Sequence, residues 1–314
     1  MDWVERAGRR VKLRDLHVLL AVTEWGSMAK AARHLATSQP VVSKTIAELE
    51  HALGVRLLDR GPQGVEATIY GRALIRRGLA IFDELREGIK EIEFLADPAA
   101  GELRIGCPES MTAGLVPAIA ERLALSSPQI VLHVVQANTV TQEFRELRER
   151  GVDLMIGRIT PPIDDGFEVE TLYEERMFVV VGAASPWARR RRIELADLAD
   201  APWVSSPTDS IVGAMLTEAF AEKGLAPPRV NVVSYSMYLR NNMLATGRYV
   251  ALVPGSVLRF AAQRFALRAL PIRLPETHAA IAIVTLKNRT LSPIARLFVA
   301  SAREVAKPVA RWLA

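Results

Sequence analysis

Between residues 27 and 54 apolar positions recur every three to four residues, in two short blocks separated by a polar break. Met28, Ala31, Ala32 and Leu35 fall at i, i+3, i+4 and i+7, the spacing of one buried helix face. Ser27 precedes this block as an N-cap. Ala36, Thr37 and Ser38 form the turn. Ser38 is placed to cap a second helix, whose first turn holds Gln39 and Pro40. On that helix Val42, Ile46, Leu49 and Leu53 make the inner stripe, which leaves Gln39, Pro40, Ser43, Lys44 and Ala47 facing outward. Two helices so joined predict a helix-turn-helix with its second helix presented for recognition. Gln39 can pair with adenine N6 and N7, Ser43 can meet a base or a phosphate, and Pro40 can touch a thymine methyl. Lys44 is placed to neutralise a phosphate. A helical hairpin that only packs would show the same apolar spacing, so the hairpin alone leaves both readings open.

The next segment adds context. Residues 56–68 carry Arg60-Gly61-Pro62-Gln63-Gly64 between short extended stretches, which predicts a β-hairpin wing with Arg60 at its base, within reach of a phosphate or the minor groove. Thr68 then opens a long helix running to about Leu95. Ile75, Phe82 and Ile89 recur every seven residues, as do Gly78, Leu85 and Ile92, and together they form a coiled-coil seam. At 1.5 Å per residue the helix extends roughly 40 Å, more than the small preceding domain can cover. A second copy of the chain is the simplest partner for the seam; a helix lying on its own globular body is the alternative.

Asp97-Pro98-Ala99-Ala100-Gly101 breaks the long helix, and beyond it the pattern becomes alternating strands and helices. Strands are predicted at Leu103–Cys107, Ile130–Gln136 and Asp153–Gly157, with helices at Ala113–Leu125 and Thr139–Arg150, the latter with Thr139 and Gln142 at capping-box spacing. This βαβαβ order implies parallel pairing. The loop Thr160–Gly166 can cross to a second lobe with strands at Met177–Gly182, Trp203–Ser205, Val230–Ser234 and Tyr249–Val253. Helices in that lobe are predicted at Ile211–Lys223 and Met237–Ala245. Leu267–Leu274 is expected to return to the first lobe, where Ile281–Leu286 and a helix from Ile294 complete the chain.

Charge sharpens the division. Residues 1–78 hold 13 Lys or Arg against 8 Asp or Glu, while the remaining 27 basic and 27 acidic residues cancel, so the whole surplus of +5 lies on the proposed reading half. Arg9, Arg10, Lys12 and Arg14 cluster before the first helix, either against a duplex backbone or as a solvated terminus. Arg189–Arg192 reads as a solvated loop. No run of 18 apolar residues and no signal-peptide core is present, so a cytoplasmic chain is expected. The single cysteine, Cys107, suits a reducing compartment and a buried strand end, with a redox-sensing thiol as the alternative. Histidines 17, 34, 51, 133 and 278 share no metal-ligand spacing. Phosphate-loop, dinucleotide and nucleophile-elbow motifs are missing from the sequence, so neither an enzyme nor a cofactor is expected.

The stretch from Leu13 to Gly71 resembles the winged helix-turn-helix of LysR-type transcriptional regulators. The likeness rests on Ser-Gln-Pro-Val-Val-Ser-Lys at 38–44, followed by Leu-Glu-X-X-Leu-Gly-Val-Arg-Leu at 49–57. One departure is Ala67-Thr68-Ile69-Tyr70-Gly71, where such proteins usually read Leu-Thr-X-Ala-Gly; the wing tip, with Gln63, Gly64 and Glu66, is also poor in arginine. The resemblance extends over essentially the whole chain. It implies a winged helix-turn-helix at 1–68, a dimerising linker helix at 69–96, a hinge at 97–102 and an effector-binding domain at 103–314. That last domain would be a two-lobed α/β fold similar to periplasmic binding proteins, with lobe I at about 103–161 and 267–314 and lobe II at about 162–266. Assembly to a tetramer, double-stranded DNA with a partly palindromic operator, and RNA polymerase as a further partner are implied in the same way.

Ligands of open α/β sheets sit beyond the carboxyl ends of strands, near helix N-termini. That rule selects Ser110, Asn138, Thr139, Ser205, Ser206, Tyr235 and its neighbours Ser234 and Ser236, with Arg158 as a counter-charge for a carboxylate or other small anion. Each alone can be a plain helix cap; as a group they share one edge. The expectation is a ligand-responsive regulator of transcription. A ligand-independent architectural DNA binder and a solute-binding protein of similar lobes are the alternatives.

Overall fold

The computed structural model of the chain describes residues 11–61, 64–98, 100–137, 139, 143–274 and 279–313, with no side-chain description for Arg60 and Ala279. Arg9, Arg10, Gln63, Asn138, Gln142 and His278 therefore lie outside the described residues. The chain divides into two compact units, residues 1–88 and 89–314.

In the first unit, helices α1 (Leu13–Trp25), α2 (Met28–His34) and α3 (Gln39–Leu53) enclose a core of Leu19, Val22, Ala31, Val42, Ile46 and Leu49. The apolar spacing explains the packing, since each of these residues lies on the inward face of its helix. Leu53 is the exception. Placed on the inner stripe by its spacing, it is exposed, because α3 ends there and Gly54 turns the chain through a left-handed cap.

Strands β1 (Leu58–Gly61) and β2 (Gly64–Ala67) pair antiparallel, Leu58 opposite Ala67, and form the wing. Two links orient it. Glu50 of α3 accepts hydrogen bonds from the Leu57 and Leu58 N–H groups at 2.7 and 3.1 Å, and Val65 N–H donates to Gly26 O at 3.1 Å. Gly64 has φ +127, and a Cβ there would stand 2.7 Å from Gly26 O, so this approach is possible only for glycine.

Helix α4 (Ile69–Ala96) follows, with Thr68 Oγ1 accepting from Gly71 N–H at 3.0 Å as its cap. The expected seam is divided. Gly78 and the partly buried Ile75 and Phe82 face their own domain, Ile75 on its core and Phe82 5.8 Å from the His17 ring. Leu85, Ile89 and Ile92 are exposed, together with Ile81 and Leu95. The covered part is the stretch that packs on the first domain's core, and the later members of the series lie beyond its reach along the helix.

The second unit holds two five-stranded sheets. Lobe I has the order β4-β3-β5-β12-β6, formed by β3 (Ala100–Cys107), β4 (Gln129–Gln136), β5 (Leu154–Ile159), β6 (Phe167–Glu175) and β12 (Ala279–Leu286). β3 pairs parallel with β4 and β5, as the alternation implied, and β12 runs antiparallel between β5 and β6. Helices α5 (Glu109–Thr112) and α6 (Leu115–Ser126) follow β3, and the final helix α11 (Pro293–Leu313) packs with α6 on one sheet face.

Lobe II has the order β11-β7-β10-β8-β9, from β7 (Met177–Gly182), β8 (Trp203–Ser205), β9 (Val230–Val233), β10 (Val250–Pro254) and β11 (Leu267–Ala269). Helices α8 (Ile211–Ala221), α9 (Met237–Ala245) and α10 (Gly255–Ala261) cover it, while lobe I keeps the one-turn α7 (Arg145–Arg148).

Four expectations change. Residues 167–175, left without an element, form β6 and belong to lobe I, so the first crossing comes at Arg176 rather than near 161. Leu267–Ala269 pairs antiparallel with β7, and Leu270, Ile272 and Leu274 pack in the lobe II core, so this segment stays in lobe II. The hinge is shorter than 97–102, because residues 100–102 already pair with β4. Of the helix expected over 139–150, the described residues hold a single turn, Arg145–Arg148. Phe144 takes a left-handed backbone conformation and is fully buried, edge-on to Phe167 at 5.0 Å, so helical geometry begins only after it.

Candidate nucleic-acid interface and ligand cavity

The helix-turn-helix presents its polar edge as the spacing required. Ser27 Oγ accepts from Lys30 N–H at 3.1 Å and fixes the start of α2. Ala36 supplies the tight turn at φ +50. Gln39, Pro40, Lys44 and Ala47 are exposed and Ser43 is partly so, while Val42 and Ile46 between them are fully buried. Lys44 lies 3.8 Å from Glu48, and both side chains are well solvated. Such a pair gives way readily to another anion. Ser38 occupies the N-cap of α3, but its side chain makes no capping hydrogen bond, which leaves the first-turn N–H groups and the hydroxyl open. The Arg60 side chain lies outside the described residues. Arg189, Arg190, Arg191 and Arg192 are exposed in a loop of lobe II, with Arg190 stacked on Trp187 at 4.6 Å.

Between the two sheets of the second unit lies a cavity of about 550 Å³. Ser110, Thr139, Arg158, Ser206 and Tyr235 all line it, so five of the nine expected residues meet in one space, while Ser234 and Ser236 lie outside its lining. Ser205 does not line it either. It is buried one residue before Ser206, and successive side chains of an extended chain point to opposite faces. Asn138 lies outside the described residues.

Arg158, near the end of β5, sends its guanidinium across to lobe II, with Nη2 3.2 Å from Met177 Sδ and Nη1 3.9 Å from Met215 Sδ. Its buried Nε has no partner. Burial lowers its pKa, against the opposing charge of Glu175. Glu175 itself is buried at the end of β6 and accepts from Ser256 N–H at 3.2 Å and Ser256 Oγ at 2.5 Å. Burial raises its carboxyl above the ordinary range, with the Ser256 hydroxyl and Arg158 working the other way.

Arg240 of α9 lies outside the set that the strand-end rule selects. It is only 2% exposed and lines the same cavity. It donates to Ser206 Oγ at 2.7 Å, Ser234 O at 3.1 Å and Leu252 O at 3.3 Å. Burial pushes its pKa down to about 10, with Glu109 opposing. The sequence did hold a signal: Met237, Arg240, Asn241 and Leu244 occupy i, i+3, i+4 and i+7, which places an arginine on the inner stripe of a helix.

Glu109 is a further cavity residue outside the set that the strand-end rule selects. Its Oε1 accepts from Ser236 Oγ at 3.0 Å and Tyr238 N–H at 3.1 Å, tying α5 of lobe I to the start of α9 in lobe II. Cys107 sits at the end of β3, fully buried, and burial pushes its thiol up to about 12. It is therefore a thiol at neutral pH and lacks the nucleophilic form a redox sensor needs. Among the described residues no group of three or more His, Cys, Asp or Glu is arranged to hold a metal, and no helix is long and apolar enough to cross a membrane.

Comparison with known proteins gives two family matches. A model described as a bacterial regulatory helix-turn-helix protein of the lysR family matches residues 13–72, and the LysR substrate binding domain matches residues 96–307. The transcriptional regulator GbpR of Azospirillum brasilense is 29% identical over 305 residues, covering 96% of this chain and 88% of the relative. Among solved structures, a full-length OxyR variant from Pseudomonas aeruginosa aligns with TM-score 0.65 and 22% identity over 96% of this chain and 97% of that one. CbnR in complex with its target DNA aligns with TM-score 0.52 and 23% identity, over 95% and 100% of the two chains.

Proposed function

This chain belongs to the LysR family of bacterial transcriptional regulators, and from that premise we propose how its own residues divide the work. The chain is a DNA-binding regulator of transcription with an N-terminal reading domain and a C-terminal effector-binding domain. Gln39, Pro40 and Ser43 read base edges in the major groove, with Ser27, Ser38, Lys44 and Arg60 on the flanking phosphates. The observation that carries this reading is the exposed polar edge of α3 beside the buried Val42, Ile46 and Leu49.

The second half of the reading is a small organic anion in the interlobe cavity, in contact with Ser110, Thr139, Arg158, Ser206 and Tyr235. A ligand there favours one arrangement of the lobes, and a coupling of about 1–3 kcal/mol changes DNA affinity several-fold to a hundredfold. The exposed stripe of α4 joins two copies into a dimer that matches a partly palindromic operator, and dimers assemble to tetramers. A duplex as partner places the protein in the cytoplasm, acting by binding rather than by catalysis, with RNA polymerase beside it at the promoter.

Gel-shift titration of Gln39→Ala against genomic operator and scrambled duplex tests the reading head. Loss of about 1–3 kcal/mol on the operator alone is expected. Unchanged discrimination between the two duplexes would remove Gln39 from the interface.

A further inference from the structure

Resting on the reading of the interlobe cavity as the effector site, we propose that its ligand is a dicarboxylate. One acid group sits on Arg158 from lobe I and the other on Ser206, backed by Arg240, from lobe II.

The first pole follows from what Arg158 lacks. A guanidinium carries five N–H donors, yet this one meets two thioether sulfurs, which are weak acceptors, and its Nε meets nothing. The nearby carboxylate of Glu175 is engaged on both oxygens by Ser256. A largely buried guanidinium that faces a cavity and has thioether sulfurs as its hydrogen-bond partners is suited to an anion, and a carboxylate matches its fork in bidentate fashion.

The second pole is formed by lobe II residues that line the same cavity. All acceptors of Arg240 are neutral oxygens or a sulfur, and its Nε is buried without a partner. Because Ser206 Oγ accepts from Arg240, its own proton remains to donate to a ligand. Ile211 and Val212, the first residues of the eleven-residue helix α8, line the cavity beside it and add the positive end of the helix dipole. Two acids also border the space. Glu109 is held by Ser236 and Tyr238, and Glu146 lies on the one-turn α7. Apolar side chains such as Met237 and Pro254 fill much of the remaining wall, which suits a hydrocarbon body between two acid groups. A ligand held at both ends bridges the lobes, so the same contacts that bind it also hold the lobes together.

The test uses the full chain and calorimetric titration at constant ionic strength. The probes are straight-chain dicarboxylates from succinate to pimelate, their monomethyl esters, and a parallel set of neutral and cationic compounds of similar size. At least one diacid should bind about tenfold or more tighter than its own monoester. Arg158→Gln and Ser206→Ala should each remove that advantage, and circular dichroism would verify that both variants fold. A monoester equal to its diacid, or diacid binding indifferent to Ser206→Ala, overturns the proposal. Neutral or cationic compounds that bind and alter operator affinity would overturn it while leaving the effector cavity in place. Silence from every probe would remove the cavity reading as well.

Discussion

Lys90, in the last two turns of α4, holds its ammonium 3.1 Å from Asp153 Oδ1, one residue before β5 begins. Arg289 reaches the same oxygen at 2.8 Å, and Arg104 N–H donates to Oδ2 at 2.8 Å. β5 is the strand that carries Arg158 at its other end, so one short strand joins the cavity to the end of the long helix. Burial by itself would raise the Asp153 carboxyl, but the Arg104 N–H and the charges of Lys90 and Arg289 outweigh it and hold the group below its ordinary value. Asp153→Ala should then cost about 3–5 kcal/mol, because it removes the carboxylate that the buried Arg289 and the Lys90 ammonium share. The charged carboxylate stabilises the fold above the ordinary carboxylate range and loses that effect as pH falls through the depressed value. Urea unfolding at pH 6 and pH 3 should show a smaller drop for Asp153→Asn than for the parent chain.

Glu175 gives the opposite sign. Its carboxyl is raised by burial, so the folded state favours the protonated form, and stability is lost as pH rises through the raised value. Glu175→Gln keeps an acceptor for Ser256 and discards the charge. The stability of the variant relative to the parent should improve from pH 4.5 to pH 8, by about 1 kcal/mol or more. A variant-minus-parent difference that does not change over this range would contradict the assignment.

Gly71 fixes the start of α4 against the wing. A Cβ there would fall 2.0 Å from Leu57 O, a backbone atom that cannot step aside. Gly71→Ala should destabilise the first unit by about 1–3 kcal/mol, with the unfolding of the second unit unchanged. Calorimetric scans that resolve two transitions would check this.

The outer stripe of α4 is proposed as the surface for self-association because it is exposed. Leu85 is 49% and Ile92 68% exposed, an apolar series with no cover of its own. Leu85→Glu combined with Ile92→Glu should shift sedimentation toward the monomer, since two like charges would then face each other across the pair of helices. Sedimentation unchanged from the parent chain would move the interface elsewhere.

Clear periodicity decided much of the molecule in advance. The helix-turn-helix, the wing and the polar edge of α3 depend on neighbours within a few residues, and local spacing is what a sequence displays directly. The parallel pairing of β3 with β4 and β5 was legible for the same reason, through the strand–helix alternation. The edges of strands and helices also indicated Ser110, Thr139, Arg158, Ser206 and Tyr235, because ligands gather where strands end.

Contacts between distant residues were decided only in three dimensions. The chain offers no local reason for β11 to pair with β7 or for residues 167–175 to join lobe I; those partnerships follow from which sheet edge and which core face remain open. The division of the α4 stripe depended on how far the first domain reaches along the helix. The Arg240–Ser206 and Glu109–Ser236 contacts join residues 34 and 127 positions apart, and they bury the Arg240 guanidinium among neutral acceptors. Periodicity fixes which face of an element is buried. Only packing determines what lies opposite it, and the energy of a buried charge depends on that opposite face.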